Sequence, residues 1–267
     1  MNPQTPMLES IWTVVNGLRM HARSGVRQVA EEAPAIIFVH GLGVSGRYMV
    51  PTAVQLALSH RVYIPDLPGF GKSEKPVQVL DIPGLADALA AWVKAVGPAR
   101  ATFVGNSLGC QTIVDFAVRY PEHIERAVLV GPTLDPRART LWQQIGRGSL
   151  DLLREPLSYW PLLVRDYLVA GPYRTLRTLE YALRDPLLEK LSSVCIPTLV
   201  VRGTRDPIAP QTWVEEMTRL LPEGRLIVIP ETAHVANYSA PRALAHEIRL
   251  FSGSGIRQAK AEASVEA

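Results

Sequence analysis

Ala101-Thr102-Phe103-Val104-Gly105-Asn106-Ser107-Leu108-Gly109 carries a serine with a glycine two positions away on each side, where an apolar run meets a helical one. Glycine has no Cβ to collide with a tight backbone, so the pattern suits a sharp strand-to-helix turn. Such a turn lifts the Ser107 hydroxyl out of a sheet. Beyond it Cys110, Ile113, Val114, Ala117 and Val118 fall at i, i+3, i+4, i+7 and i+8, the spacing of one buried helix face. The helix is expected to stop at Tyr120, before Pro121.

A serine hydroxyl is a poor nucleophile at neutral pH. It needs an imidazole to accept its proton and a carboxylate to orient that imidazole, and on this kind of turn the chain order is serine, acid, histidine. Asp206 follows the strand-like run Pro197 to Gly203, in a short loop with Pro207 and Pro210. His234 lies a few residues beyond the next apolar run, Arg225 to Pro230. Asp135 competes for the role of the acid, because it too follows a strand-like run, Ala127 to Val130. Asp66 precedes the serine and reads as a turn residue that caps backbone groups. Of the six histidines, His21, His60, His123 and His246 lie in polar or helical surroundings and read as surface or structural residues. His40 closes the apolar run Ala35 to Val39 and opens His40-Gly41-Leu42-Gly43, a loop of the kind that offers backbone N–H groups to an oxyanion. It is read as shaping that loop, and His234 is read as the base rather than a structural histidine because its position after the last strand matches the triad order.

Outward from these motifs the chain alternates. Trp12 to Val15, Asn16-Gly17 and Leu18 to Ala22 form a hairpin signal with a two-residue type I′ turn, expected as an antiparallel edge. Strands follow near 35–39, 61–65, 101–104, 127–130, 197–202 and 225–229, with helical stretches between most of them, including Ile82 to Val96. This argues an α/β fold with a parallel sheet and crossover helices. Residues 133–192 break the alternation. Eight arginines there (137, 139, 147, 154, 165, 174, 177 and 184) mix with Leu, Trp and Tyr and are punctuated by prolines, which reads as several short helices over the serine. The arginines are expected on a solvated outer face with i, i+4 partners, or in one or two cases turned inward to an anionic substrate group. Trp142, Tyr159, Trp160, Tyr167 and Tyr173 are expected in the core of that segment. The expected division is a core of 1–132 and 193–252, a helical insertion of 133–192, and a flexible tail of 253–267.

Composition sets further bounds. A chain of 267 residues with 47% hydrophobic residues can fill one large α/β core. The 28 basic and 25 acidic residues leave a net charge of only +3, and no basic stretch is interleaved with aromatics, so nucleic-acid binding is not expected. Two cysteines, Cys110 and Cys195, are too few for a disulfide framework and are expected to be free and buried. No apolar run approaches the roughly 18 residues of a membrane span, and Met1 to Ser10 does not resemble a secretory leader. A cytoplasmic protein with a small-molecule substrate, no membrane association and no metal or cofactor is therefore expected. A monomer and a homodimer fit the sequence equally.

Taken together, His40 to Gly43, Asp66-Leu67-Pro68-Gly69-Phe70-Gly71-Lys72-Ser73, the serine pentapeptide, Gly203 to Pro210 and His234 resemble the alpha/beta-hydrolase superfamily, over about Trp12 to Phe251. The resemblance implies an eight-stranded, mostly parallel sheet flanked by helices, with a helical lid after the sixth strand. It also implies a Ser107, His234, Asp206 triad with the backbone N–H groups of Leu42 and Leu108 as the oxyanion hole. Three positions depart from the family pattern: Ala233 replaces the usual glycine before the histidine, Cys110 follows the pentapeptide, and the loop after His40 lacks the Gly-Pro-Gly of some carbon–carbon bond hydrolases. Relatives that open epoxides or remove halides carry aspartate at the nucleophile position, so serine points to carbonyl substrates. Ester hydrolysis through an acyl-enzyme is the expected activity. Cleavage of a ring-fission-type diketone is the alternative, kept open by Asn106 before the serine, and a slow-turnover ligand receptor on the same fold is a third reading.

Overall fold

The computed structural model describes residues 8–25 and 29–263. The chain opens with β1 (Glu9–Val15) and β2 (Leu18–Ser24), an antiparallel hairpin in which Val15 pairs with Leu18. Asn16 and Gly17 both have positive φ, 51° and 76°, as the expected I′ turn requires. β3 (Ala35–Val39), α1 (Val50–Leu56), β4 (Arg61–Pro65), α2 (Ile82–Val96), β5 (Ala101–Asn106), α3 (Leu108–Arg119) and β6 (Ile124–Val130) follow. Four helices stand between β6 and the next strand: α4 (Leu141–Leu152), α5 (Trp160–Ala170), α6 (Pro172–Arg184) and α7 (Leu187–Leu191). β7 (Thr198–Gly203), α8 (Gln211–Leu220), β8 (Gly224–Ile229), α9 (Ala236–Ser239) and α10 (Pro241–Ala263) complete the chain.

The eight strands form one sheet in the order β1-β2-β4-β3-β5-β6-β7-β8. β2 meets β4 antiparallel, and every pair from β4 and β3 through to β8 is parallel. The period of two along the strands sorts their side chains between two cores. Ile37, Val39, Phe103 and Leu129 face one side, against Leu89 and Trp92 of α2, Phe116 of α3 and Trp213 of α8. Ile36, Phe38, Val104 and Val128 face the other, against Leu56 of α1 and Ile248 of α10. Burial on both faces explains why the central strands read as continuous apolar runs.

Local signals set the helix ends. The Asp81 side chain accepts from Gly84 N to start α2, and Gly97, at φ 70°, ends it in the left-handed conformation. Thr140 and Gln143 cap each other's backbone in a capping box at the start of α4. α3 ends with Tyr120 as its C-cap, before Pro121. α10 continues through Gly253 to Ala263, where the sequence reading placed a flexible tail; residues 264–267 lie outside the described residues. Cys110 is buried as expected, but Cys195 is exposed: in the connection from α7 to β7 its neighbours Val194 and Ile196 are the residues buried in the core.

Candidate active site

Parallel strands deliver their C-terminal ends to one edge, and the loops beyond them share that edge. β5 ends at Asn106, and Ser107 takes φ 57° and ψ −122° before α3 begins at Leu108. This conformation costs an L-residue about 1–3 kcal/mol. The flanking glycines are needed for close approach. A Cβ on Gly109 would lie 2.2 Å from the Val39 carbonyl oxygen, and one on Gly105 would lie 2.7 Å from Ile113 Cδ1. Gly41, in the loop after β3, passes directly against the serine: an added Cβ would stand 3.1 Å from Ser107 Cβ.

Asp206 and His234 come from the loops after β7 and β8 and meet at 2.9 Å between Oδ2 and Nδ1. The other oxygen of Asp206 accepts from the backbone N–H groups of Ile208 (2.8 Å) and Ala209 (3.0 Å), which fixes the carboxylate's plane. A carboxylate can only accept, so Nδ1 carries the hydrogen and Nε2 of the neutral ring is an acceptor. That Nε2 is buried and has no hydrogen-bond partner among the described residues. Ser107 and His234 line the same cleft, of about 440 Å³, together with Leu42 and Leu108. Leu108 is the first residue of α3, so its N–H lies outside the helical ladder.

The competing acid lies elsewhere. Asp135 accepts from Arg137 N at 3.0 Å and from the Arg147 guanidinium at 2.8 Å. Asp66 binds His21, Arg23 and the backbone N–H groups of Gly46 and Lys72, as its reading as a capping turn residue anticipated. His40 is buried, with Nδ1 2.9 Å from the Gly41 carbonyl oxygen and Nε2 accepting from Leu67 N, so it shapes the loop; burial lowers its pKa.

Further residues support the site, and of these Tyr48, Asp151, Glu155 and Asp166 carried no sequence signal that singled them out. The Tyr48 hydroxyl accepts from Gly41 N and donates to Asn106 Oδ1, and the Asn106 amide donates to the carbonyl oxygens of Val130 and His234. The Asn106 side chain is therefore occupied by the protein. Gly131, at φ 53°, leaves room for the histidine–aspartate pair: a Cβ there would lie 2.7 Å from His234 Nδ1. A glycine closing the sixth strand was the available signal. From the segment between β6 and β7, Asp151 Oδ1 accepts from His234 N, Glu155 Oε1 accepts from Val235 N, and Asp166 accepts from the Ser45 amide and hydroxyl.

Charge in the cleft is one-sided. Burial pushes the Asp151 carboxyl up to about 6 and that of Glu155 up to about 7. Burial alone would lower the His234 pKa, but Asp206, Asp151 and Glu155 outweigh it and raise the imidazole to about 9. No Arg or Lys stands among the lining residues. Arg137, Arg177 and Arg184 instead pair with Glu216 or Glu180 on the outer face. Of the aromatics expected in a core, Tyr159 is buried, whereas Trp142 and Tyr173 are 79% and 70% exposed. Among the described residues no group of three or more His, Cys, Asp or Glu is placed to hold a metal ion, and no helix is long and apolar enough to cross a membrane.

With this geometry in view, comparison with known proteins gives the class. The model of the alpha/beta hydrolase family matches residues 36–247, and the chain belongs to that family. It is 26% identical over 241 residues to 2-hydroxy-6-oxo-6-phenylhexa-2,4-dienoate hydrolase of Burkholderia cepacia, covering 78% of this chain and 84% of that protein. It is 24% identical over 249 residues to the pimeloyl-[acyl-carrier protein] methyl ester esterase of Aeromonas hydrophila, covering 83% and 96%. Among solved structures, a bacterial membrane phospholipase A described as a virulence factor superposes with a TM-score of 0.81 at 24% identity, over 95% of this chain and 88% of that one. The family and these relatives support a hydrolase.

Proposed function

We propose that the protein is a serine esterase acting on uncharged carboxylic esters of small or medium size. Ser107 Oγ attacks the ester carbonyl carbon and its proton passes to Nε2 of His234. Asp206 holds the other ring nitrogen, and the amides of Leu42 and Leu108 receive the charge that develops on the carbonyl oxygen. The bond to the alcohol oxygen then breaks, the alcohol leaves with the proton from His234, and the acyl group stays on Ser107. Water gives its proton to His234 and attacks that ester, and the acid departs as Ser107 regains its hydrogen. The observation that carries this reading is the pairing of a strained serine with a histidine fixed through Nδ1 and unoccupied at Nε2, both facing one cleft.

The lining supports an uncharged substrate. Val44, Leu134, Ile145, Leu163, Leu176 and Leu179 supply apolar surface, and the ionisable acids in the wall are Asp151 and Glu155. A dienoate of the kind named for the Burkholderia cepacia relative carries a carboxylate, which would meet no Arg or Lys among the lining residues. Carbon–carbon cleavage is therefore the second reading.

The test is labelling by a fluorophosphonate and hydrolysis of p-nitrophenyl butyrate, each against a Ser107→Ala variant. Both are expected in the native protein and absent from the variant. Loss of the yellow dienoate colour of a ring-fission product without ester hydrolysis would favour the second reading. Ligand binding with negligible turnover would overturn both.

A further inference from the structure

Between the end of β8 at Ile229 and the four-residue α9, the chain carries the candidate base in a segment outside any ladder. The backbone N–H groups of His234 and Val235 are donors in buried surroundings, and such groups need an acceptor from elsewhere in the fold. They find two. Asp151, in α4, takes the His234 N–H at 3.2 Å, and Glu155, just beyond α4, takes the Val235 N–H at 2.6 Å. Both carboxylates are buried, at 7% and 5% exposure. They lie four residues apart, and Glu155 N donates to the Asp151 carbonyl oxygen, so one extra turn places both on one face.

A neutral acceptor would satisfy an amide equally well. Two carboxylates taken out of water are costly unless a cation faces them, and no Lys or Arg lines the cleft. Arg154 faces Asp151, but its side chain is exposed and donates to the Arg205 carbonyl oxygen. Glu155 Oε2 is buried with no partner among the described residues, so the protein makes no other use of that charge. The cation that forms beside these two groups is the imidazolium of His234, created when the serine proton is taken.

Resting on the esterase reading, we propose that Asp151 and Glu155 are positioning residues of the reaction: they clamp the backbone that carries His234 and, together with Asp206, surround its imidazolium with negative charge. The segment between β6 and β7 thereby holds the base as well as walling the cleft. The groups facing the imidazole are Asp206, Asp151 and Glu155. Facing the two carboxylates are one another, Asp206, His234, Arg154 and Tyr159, and Cys110 faces Asp206. All the ionised acids act in one direction on His234. Neutralising two of them must ease its deprotonation.

The experiment compares the Asp151→Asn/Glu155→Gln double variant with Asp151→Ala and Glu155→Ala, reading kcat/KM for p-nitrophenyl butyrate from acid to alkaline pH. Asn and Gln keep an acceptor oxygen for each amide and remove the charge. The alkaline-rising limb is expected to move down by about 1 pH unit in the double variant, with its plateau retained. The alanine variants should lower the plateau in kcat about 10- to 100-fold, more than they change KM, because the base is released from its seat. Asp166→Asn is the control, a buried acid from the same segment that binds Ser45; its limb should stay at the native position. An unmoved limb in the double variant, a plateau unchanged in both alanine variants, or an equal shift in the control would each overturn the proposal. If the native protein hydrolyses no ester, the esterase reading fails instead, and NMR titration of the His234 ring decides the clamp. A midpoint lowered in the double variant keeps it, and an unchanged midpoint removes it.

Discussion

Two serine–histidine–aspartate arrangements occupy opposite fates in this molecule. In the edge hairpin, Ser10 Oγ lies 3.0 Å from His21 Nε2, and His21 Nδ1 lies 2.9 Å from Asp66 Oδ2. At the strand ends His234 and Asp206 meet at the same 2.9 Å, yet His234 Nε2 has no partner among the described residues. By hydrogen bonds alone, the hairpin is the better relay. It has none of the other requirements. Ser10 sits in an ordinary paired strand, Arg23 and two backbone amides satisfy Asp66, and neither Ser10 nor His21 lines the cleft. Its acid is held at about 2, because His21, Arg23 and His40 together with the Lys72 amide outweigh burial. A satisfied cluster braces a fold, whereas an active centre keeps a nitrogen unsatisfied beside a cleft.

The strongest way to break this contrast is to exchange the serines' fates. Ser107→Ala should lower kcat for p-nitrophenyl butyrate by about 10⁶-fold and abolish fluorophosphonate labelling. Ser10→Ala should leave both unchanged, and a labelled Ser10 peptide in the mass spectrum would end the distinction. The acids come next. Asp206→Asn should cost about 10⁴-fold in kcat through loss of the imidazole's orientation, while Asp135→Asn should stay within a few-fold in the same assay. Asp66→Ala should instead act on stability, by about 3–5 kcal/mol in urea unfolding, since it strands buried partners from three segments. A loss below about 1 kcal/mol would show that the hairpin cluster braces nothing.

Smaller effects separate the two pairs along the pH axis. The folded pKa of Asp66 is depressed from 3.8 to about 2, so its contribution to stability is present above 3.8 and lost as pH falls through 2. The folded pKa of His234 is raised from 6.5 to about 9, so its contribution is complete below 6.5 and lost as pH rises through 9. Under the proposed mechanism activity runs the other way, because His234 accepts the serine proton only when deprotonated. Urea midpoints and kcat/KM followed together from pH 6 to about 10 should therefore diverge, stability falling where activity rises. Parallel curves would contradict the assignment of His234 as the base.

Much of this was legible in the chain. The hairpin, the central strands and α2 declared themselves through turn chemistry and through apolar runs long enough to be buried on both faces. Ser107, Asp206 and His234 stood out because each follows a strand, and parallel strands end together. What the chain could not show is how Asn106 is used: its amide is bonded by Tyr48, Val130 and His234, which only the fold brings to it. Trp142 and Tyr173 looked like core because they are aromatic, but their helices turn them outward.

Local pattern thus determined the elements, their order and the three residues at the strand ends, since turns, caps and hydrophobic periodicity are properties of neighbouring residues. Tertiary structure alone decided which acid meets which histidine, that Gly131 must lack a side chain, and that Asp151 and Glu155 reach the His234 and Val235 backbone from the segment between β6 and β7. Those contacts join residues about 30 to 100 positions apart. Their energies depend on burial and distance, which no stretch of sequence carries until the chain has folded.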